Sequence, residues 1–343
     1  MDRLFALRSN TRNVPLIICY HRVVADFQAS TAYSIAPMLT GERTFELHLD
    51  WIGRRFQFVT LDEMAAWMEG RKTFNRPIVA ITFDDGYVDV YRHAFPILRR
   101  KGIPAAVFVV TDRTGTADLQ TYDELYLLLR AAFLNWPEPN RRFVELLLGL
   151  EIPPSVLKKI ETAAVNPVQA TWALIENMPQ TGMKKVLEAL RTQAEIPAGA
   201  RAELCAMNWE MLREVAQSDI TIGSHTRTHP FMILENWERM VDEIRGSRED
   251  LQRRLGTPVE HFAYPSGAFD SAVVSAVAAA GYRYAYTSCR HRDSRYPALT
   301  MPRYLLWEKS CMSAFGRFSP ALMSCQVNGV FDMVKSCQQG HSF

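Results

Sequence analysis

The chain has 343 residues, 48% of them hydrophobic and 22% charged, a balance that permits a sizeable core and excludes a disordered chain. A formal net charge of +2, with no block of five or more like charges, argues against a nucleic-acid reader. No stretch approaches the roughly 20 apolar residues of a helical membrane span.

In chain order, the first fifteen residues carry Arg3, Arg8 and Arg12. Their apolar run is too short for a signal-peptide core, and no small-residue cleavage site follows, so the expected location is the cytoplasm. Residues 14–20 form an apolar, β-prone run that ends abruptly in His21-Arg22, as a fully buried strand would. Helical spacing over 44–55, a strand over 56–60 and a second helix over 61–70 follow. Residues 77–83 read as another buried strand ended by Asp84-Asp85-Gly86, then 88–101 as a helix stopped by Gly102, and 105–110 as a strand. Segment 115–205 breaks this alternation with helical stretches at 122–133, 141–150 and 183–193, joined by Pro137, Pro139, Pro153, Pro154 and Pro167. The alternation resumes with a helix at 208–217, a strand at 220–223, an amphipathic helix at 237–255, a strand at 261–264, a helix at 271–280 and a strand at 284–287. Arg99-Arg100-Lys101 and Arg253-Arg254 end helices, where cations oppose the dipole, and read as solvated faces.

Such alternation predicts a parallel α/β architecture, either a barrel or an open doubly wound sheet, and pattern does not choose between them. The expected divisions are a first barrel part over 1–114, a helical insertion over 115–205, a second barrel part over 206–310 and a tail over 311–343. Leu125, Leu127, Leu128 and Leu129 suggest a satellite core within the insertion rather than a lid or a lipid-facing surface. Trp209 and Trp237 read as packing residues. Cys19, Cys205, Cys289, Cys311, Cys325 and Cys337 form no Cys-x-x-Cys pair, which speaks against a zinc knot and fits a reducing compartment.

Chemistry concentrates in two places. Asp84 and Asp85 stand together where a strand leaves for a turn, and Gly86 can swing both into one mouth. Asp-Asp-Gly is also a common turn signal, but two carboxylates so close resist joint ionisation unless a cation or proton lies between them. His225 and His229 stand at i and i+4, one helical turn apart, in a polar stretch limited by Pro230. Two imidazoles and a carboxylate with an open position for water form a recurrent catalytic zinc set.

The run 82–111, the His225–His229 segment and Phe262-Ala263-Tyr264-Pro265-Ser266-Gly267 together closely resemble the polysaccharide deacetylase (NodB-homology) family, over roughly 14–111 and 208–304. The resemblance implies a distorted (β/α) barrel and a divalent ion, zinc being the expected one, that serves amide hydrolysis of N-acetylated sugars. It assigns Asp84 as general base and Asp85, His225 and His229 as metal ligands, with a backbone N–H near Tyr87 stabilising the oxyanion. Tyr87, Tyr264, Pro265 and Gly267, with Phe269, are the expected groove residues, and for Tyr264, Pro265 and Phe269 core packing is an equally open reading. Two departures matter. Ala263 fills the place of the family's arginine that orients the base, and Arg303 is the expected replacement through a two-bond grip. The late histidine that protonates the leaving amine is missing, since His291 and His341 are unsuited. Cys19-Tyr20-His21-Arg22 resembles the opening of a rearranged branch of the family, which makes His21 the expected acid.

The resulting expectation is hydrolysis of N-acetyl groups on a glycan or lipid-linked glycan, at the cytoplasmic face of a membrane, with no nucleic-acid partner. The alternatives are a deacylase of a non-sugar amide or O-acetyl ester, and a catalytically silent carbohydrate-binding protein.

Overall fold

The computed structural model describes residues 15–162, 166–289 and 291–331, so Arg3, Arg8, Arg12, Val14, Cys337 and His341 lie outside the described residues. Eleven strands are present among them: β1 Leu16–Tyr20, β2 Arg22–Val24, β3 Leu39–Gly41, β4 Gln57–Phe58, β5 Ile78–Phe83, β6 Ala105–Val109, β7 Ile220–Ser224, β8 His261–Ala263, β9 Tyr284–Thr287, β10 Met301–Pro302 and β11 Tyr304–Leu305. The main sheet runs β10-β9-β8-β7-β6-β5-β1-β11, with β4 beside β5, and every pair is parallel.

That order closes on itself. β10 pairs with β9 and β11 pairs with β1, and only Arg303 separates the two short strands. One run of chain therefore bridges the first and last strands, giving the distorted α/β barrel rather than an open sheet. Period-2 alternation explains how the strands bury both faces. Val79, Ile81 and Phe83 join the large core under the helices, whereas Ile78 and Ala80 join a smaller cluster with Ile17, Ala106 and Phe108. Continuing the second register upward passes Thr82 and reaches Asp84.

The connecting helices follow local chemistry. Thr60 and Glu63 form a reciprocal capping box at the start of the Leu61–Met68 helix. The expected helix over 88–101 contains a π-helical turn, Val90–Ala94, before the α-helix Phe95–Lys101. Pro96 has no N–H for an i→i−4 bond, and the Phe95 N–H instead reaches the Val90 carbonyl.

Between β6 and β7 lie the helices Thr121–Asn135, Pro139–Gly149, Pro154–Thr162, Pro167–Ile175, Gln180–Arg191 and Ala198–Leu204, followed by Trp209–Ala216, which leads into β7. Pro139, Pro154 and Pro167 begin theirs, where a missing N–H costs nothing. Leu125, Leu127, Leu128 and Leu129 are buried in the same cluster as the barrel's outer faces, which corrects the satellite-core expectation. The helical segment packs on the barrel without a break in the core. Trp209 is partly buried, with Arg254 over its ring, but Trp237 is 56% exposed and is not a packing residue.

His48 is wholly enclosed near Tyr20 and Phe318, with Nδ1 3.1 Å from the Tyr20 hydroxyl. Burial pulls it down from 6.5 to about 4, as it does His225 and His229. The unfolded chain then binds more protons than the metal-free fold between those limits, so stability falls as pH drops through 6.5 toward 4. Each such histidine costs about 2 kcal/mol by pH 5. The melting temperature of metal-free protein should fall between pH 7 and pH 5, and His48→Gln should flatten that slope. Equal slopes for the two proteins would contradict this.

Candidate metal centre

The carboxyl ends of the parallel strands deliver the chemistry, as in other α/β barrels. His21 follows β1, Asp84 and Asp85 follow β5, and His225 follows β7, while Arg303 sits at the closing seam. Asp84 continues the inward register of β5, its N–H bonded to the Tyr20 carbonyl at 3.0 Å. Asp85 would point outward if the strand continued. Instead Asp85 and Gly86 both take left-handed backbone, with φ of 70° and 67°, which swings the second carboxylate into the same mouth. The expectation of one turn presenting two carboxylates holds, with Asp85 itself carrying part of the strain.

The two histidines come together by another route than the sequence suggested. No helix joins them: Thr226 and His229 have φ of 67° and 58°, and a tight loop brings their rings to a centroid distance of 4.8 Å. The i, i+4 spacing is met by left-handed turns, because Pro230 and the strand exit leave no room for a helical turn. Glu243 holds this loop, accepting bonds from the N–H groups of Arg227 and Thr228 at 2.9 and 2.8 Å and from the Thr228 hydroxyl at 2.6 Å.

Asp85, His225 and His229 offer ligand atoms within 4.8 Å of one another. Oδ1 of Asp85 lies 3.6 Å from His225 Nε2 and 3.5 Å from His229 Nε2. That oxygen is buried and has no hydrogen-bond partner among the described residues. Nδ1 of His225 is engaged with the Ala263 carbonyl at 2.8 Å, which fixes the tautomer so that the lone pair of Nε2 faces the carboxylate oxygen. Burial keeps both imidazoles neutral at ordinary pH, with values of about 4. Burial also pushes Asp85 up, with Asp84 adding to it and His21 and His225 opposing. An unpartnered carboxylate oxygen and two neutral imidazole nitrogens within 4.8 Å of one another could hold a divalent cation.

Asp84 lies in a different environment. Arg303 grips it with two bonds, Nη1 to Oδ1 at 2.7 Å and Nη2 to Oδ2 at 2.6 Å, both side chains being buried. Burial alone would raise Asp84, but Arg303 above all, with His225, holds it well below the usual carboxylate range. The expected replacement for the absent arginine at Ala263 is thus present in space. Arg303 also donates to Thr82 at 3.2 Å and lies over the Phe108 ring, so its guanidinium occupies the top of the barrel interior.

These groups line a cavity of ≈ 420 Å³. His21 borders it, with Nε2 4.0 Å from Asp85 Oδ2 and Nδ1 buried without a hydrogen-bond partner among the described residues. Gly267 also borders it. Its φ of 67° and the approach of Ser288 exclude a side chain, since a Cβ would lie 1.9 Å from Ser288 Oγ. Four other expected groove residues, Tyr87, Tyr264, Pro265 and Phe269, do not line it. Tyr87 is wholly buried, its hydroxyl against Tyr122 and Asp123, and its side chain does not line the cavity. The Tyr264 hydroxyl donates to the Leu299 carbonyl at 2.8 Å while its ring packs on Phe262 and Phe269. Pro265 is buried beneath the same turn, and Phe269 is 1% exposed. Each of these is core, because the strand end folds over before its side chains reach the opening.

Several lining residues escaped the sequence reading. Cys19, two positions before His21 on one strand face, was recoverable from period-2 reasoning and lies 3.4 Å from Asp84 Oδ2. Tyr122, Trp172 and Glu176 come from the helical segment between β6 and β7 and carried no local signal. That segment overhangs the opening of the barrel.

The polysaccharide deacetylase profile matches residues 71–285, a span that includes Asp84, Asp85, His225 and His229 and leaves out His21 and Arg303. The poly-beta-1,6-N-acetyl-D-glucosamine N-deacetylase of Staphylococcus epidermidis is 30% identical over 122 residues, covering 33% of this chain and 42% of that protein. The chain spans less than half the length of the curated relatives it matches. Among solved structures, the Streptococcus pyogenes deacetylase PplD in complex with acetate superposes with a TM-score of 0.57 at 15% identity, over 92% of this chain and 97% of that one. IcaB from Ammonifex degensii gives a TM-score of 0.54 at 19% identity over the same shares, 92% and 97%. Both share the fold. No helix among the described residues is long and apolar enough to cross a membrane. With the profile matched across more than half of its length, this chain belongs to the polysaccharide deacetylase family.

Proposed function

We propose that this protein is a divalent-metal-dependent N-deacetylase that releases acetate from the amino sugars of an acetylated glycan or lipid-linked glycan. One observation carries the reading: a buried carboxylate oxygen of Asp85, lacking any hydrogen-bond partner among the described residues, faces Nε2 of both His225 and His229 beside a second carboxylate locked by Arg303. Asp85, His225 and His229 would hold the ion, and two imidazoles with one carboxylate suit zinc. When bound, such an ion polarises an acetyl carbonyl and makes a nearby water more acidic.

The chain's own groups supply the proton transfers. Asp84, ionised because Arg303 neutralises its charge, is the general base that accepts a proton from the attacking water. The bidentate grip leaves it one orientation, and the low proton affinity it imposes favours passing that proton on. His21 stands across the cavity as general acid, giving a proton from Nε2 to the amide nitrogen as the C–N bond breaks. Acetate and a free amine result. Trp172 offers an aromatic face and Pro37, Met38 and Leu305 an apolar wall, against which the C–H faces of a pyranose ring can pack. The polymer named for the staphylococcal relatives, poly-beta-1,6-N-acetyl-D-glucosamine, is accordingly the first substrate to try.

Zinc-loaded protein incubated with β-1,6-linked N-acetylglucosamine oligomers should release acetate, lose that activity on chelation and regain it when zinc returns. Folded, zinc-bound protein that releases no acetate from any acetylated glycan, amide or ester would sink the proposal. His21→Ala should retain zinc while turnover falls by roughly 100- to 10,000-fold, and near-wild-type turnover would remove His21 from the acid role. Arg303→Met leaves the buried Asp84 charge without its partner, and chemical denaturation at pH 7 should register a loss of about 3–5 kcal/mol. A loss below about 1 kcal/mol, the usual worth of an exposed pair, would mean that Asp84 is not held as described.

A further inference from the structure

The helical segment between β6 and β7 meets the metal centre at both of its ends. At its start, the Gln120 side-chain amide donates to the Asp85 carbonyl at 3.2 Å and the Tyr122 hydroxyl donates to Asp85 Oδ2 at 2.8 Å. At its finish, the Val88 N–H bonds to the Cys205 carbonyl at 2.9 Å, and the Met207 N–H bonds to the Gly86 carbonyl at 2.9 Å. Arg22 fastens the same end by donating to the Glu203 carbonyl at 2.8 Å. The Asp-Asp-Gly turn is thus clamped between the two ends of a segment that the barrel does not need for its closure.

Tyr122 is the residue through which the clamp reaches the ligands. Its hydroxyl occupies Oδ2 of Asp85 and leaves Oδ1, the atom facing both histidines, as the open donor. Its ring meets the edge of His229 at 5.3 Å and 61°, and stacks on Trp172 at 6.4 Å and 19°. Behind it, the Tyr87 hydroxyl contacts both the Tyr122 hydroxyl and Asp123. Leu125, Leu128 and Leu129, on the following turns of the same helix, are buried in the main core and fix its position. A single side chain therefore restrains two of the three ligands and is itself restrained on three sides.

We infer that Tyr122 is a positioning residue for the metal, and that the helical segment completes the metal centre rather than only covering it. The inference rests on the proposed metal-dependent reading, and it assigns Tyr122 no contact with the ion or with reacting atoms. Hydrogen bonds to a ligating carboxylate fix its orientation and tune its basicity, and their loss typically costs about 10- to 100-fold in metal affinity. Tyr122→Phe removes only the hydroxyl and keeps the ring that meets His229 and Trp172.

The test is calorimetric titration of zinc alone into metal-free wild-type and Tyr122→Phe protein, with cobalt absorption spectra of both as a second readout. The inference predicts about 10- to 100-fold weaker zinc binding and a shifted cobalt spectrum, beside the lower melting temperature of metal-free protein that losing a buried hydrogen bond brings in either case. A merely structural role would lower that melting temperature and leave the zinc affinity and the cobalt spectrum as in the wild type. Equal affinities and superimposable spectra overturn the inference while the metal reading stands. Wild-type protein that binds neither ion overturns both.

Discussion

Two adjacent carboxylates, both buried, set the terms for everything around them. Taking one carboxylate out of water costs several kcal/mol after relaxation, and placing a second beside it adds repulsion. The fold answers the two charges differently. Asp84 is neutralised within the protein by Arg303, whereas Asp85, among the described residues, forms no ion pair with any lysine or arginine and instead faces two neutral imidazoles. One carboxylate is therefore complete as the chain folds, and the other keeps an unmet demand for positive charge. That asymmetry lets two neighbouring residues of the same type take opposite duties.

Meeting it has shaped the barrel's closure. Arg303 lies between the strand that pairs with β9 and the strand that pairs with β1, so the event that closes the barrel also carries the guanidinium to Asp84. Ala263, at the place where the family's more common pattern has an arginine, contributes its carbonyl to His225 instead. A side chain can move to a distant strand and still do the same work, because a carboxylate responds to the position of a charge and not to its place in the chain.

Strain gathers at the same place. Asp85, Thr226, His229 and Ser266 are non-glycine residues with positive φ, and all four border or belong to the centre. Such backbone persists only where surroundings over-determine it. Here Glu243 ties down the histidine loop, while Gln120, Cys205 and Met207 tie down the aspartate turn. All four restraints come from outside the barrel strands, and three of them, Gln120, Cys205 and Met207, from the segment between β6 and β7.

The sequence by itself determined the strand and helix alternation and the residue types at the strand ends, because period-2 and helical patterns are local properties, and with the family resemblance it pointed to Asp84, Asp85, His225 and His229 as the candidate site. It also pointed to Arg303 and His21, since the resemblance left two roles without residues at their usual places. Only the tertiary structure decided that the alternation closes into a barrel, that His225 and His229 meet through left-handed turns instead of a helix, and that Tyr87, Tyr264 and Pro265 are buried behind the site. It alone brought Tyr122 and Trp172 to the opening, from positions where nothing in the local pattern separates them from ordinary helix packing. The difference is physical: propensity and ligand type act over a few residues, whereas burial and convergence depend on which distant elements come to share the same space.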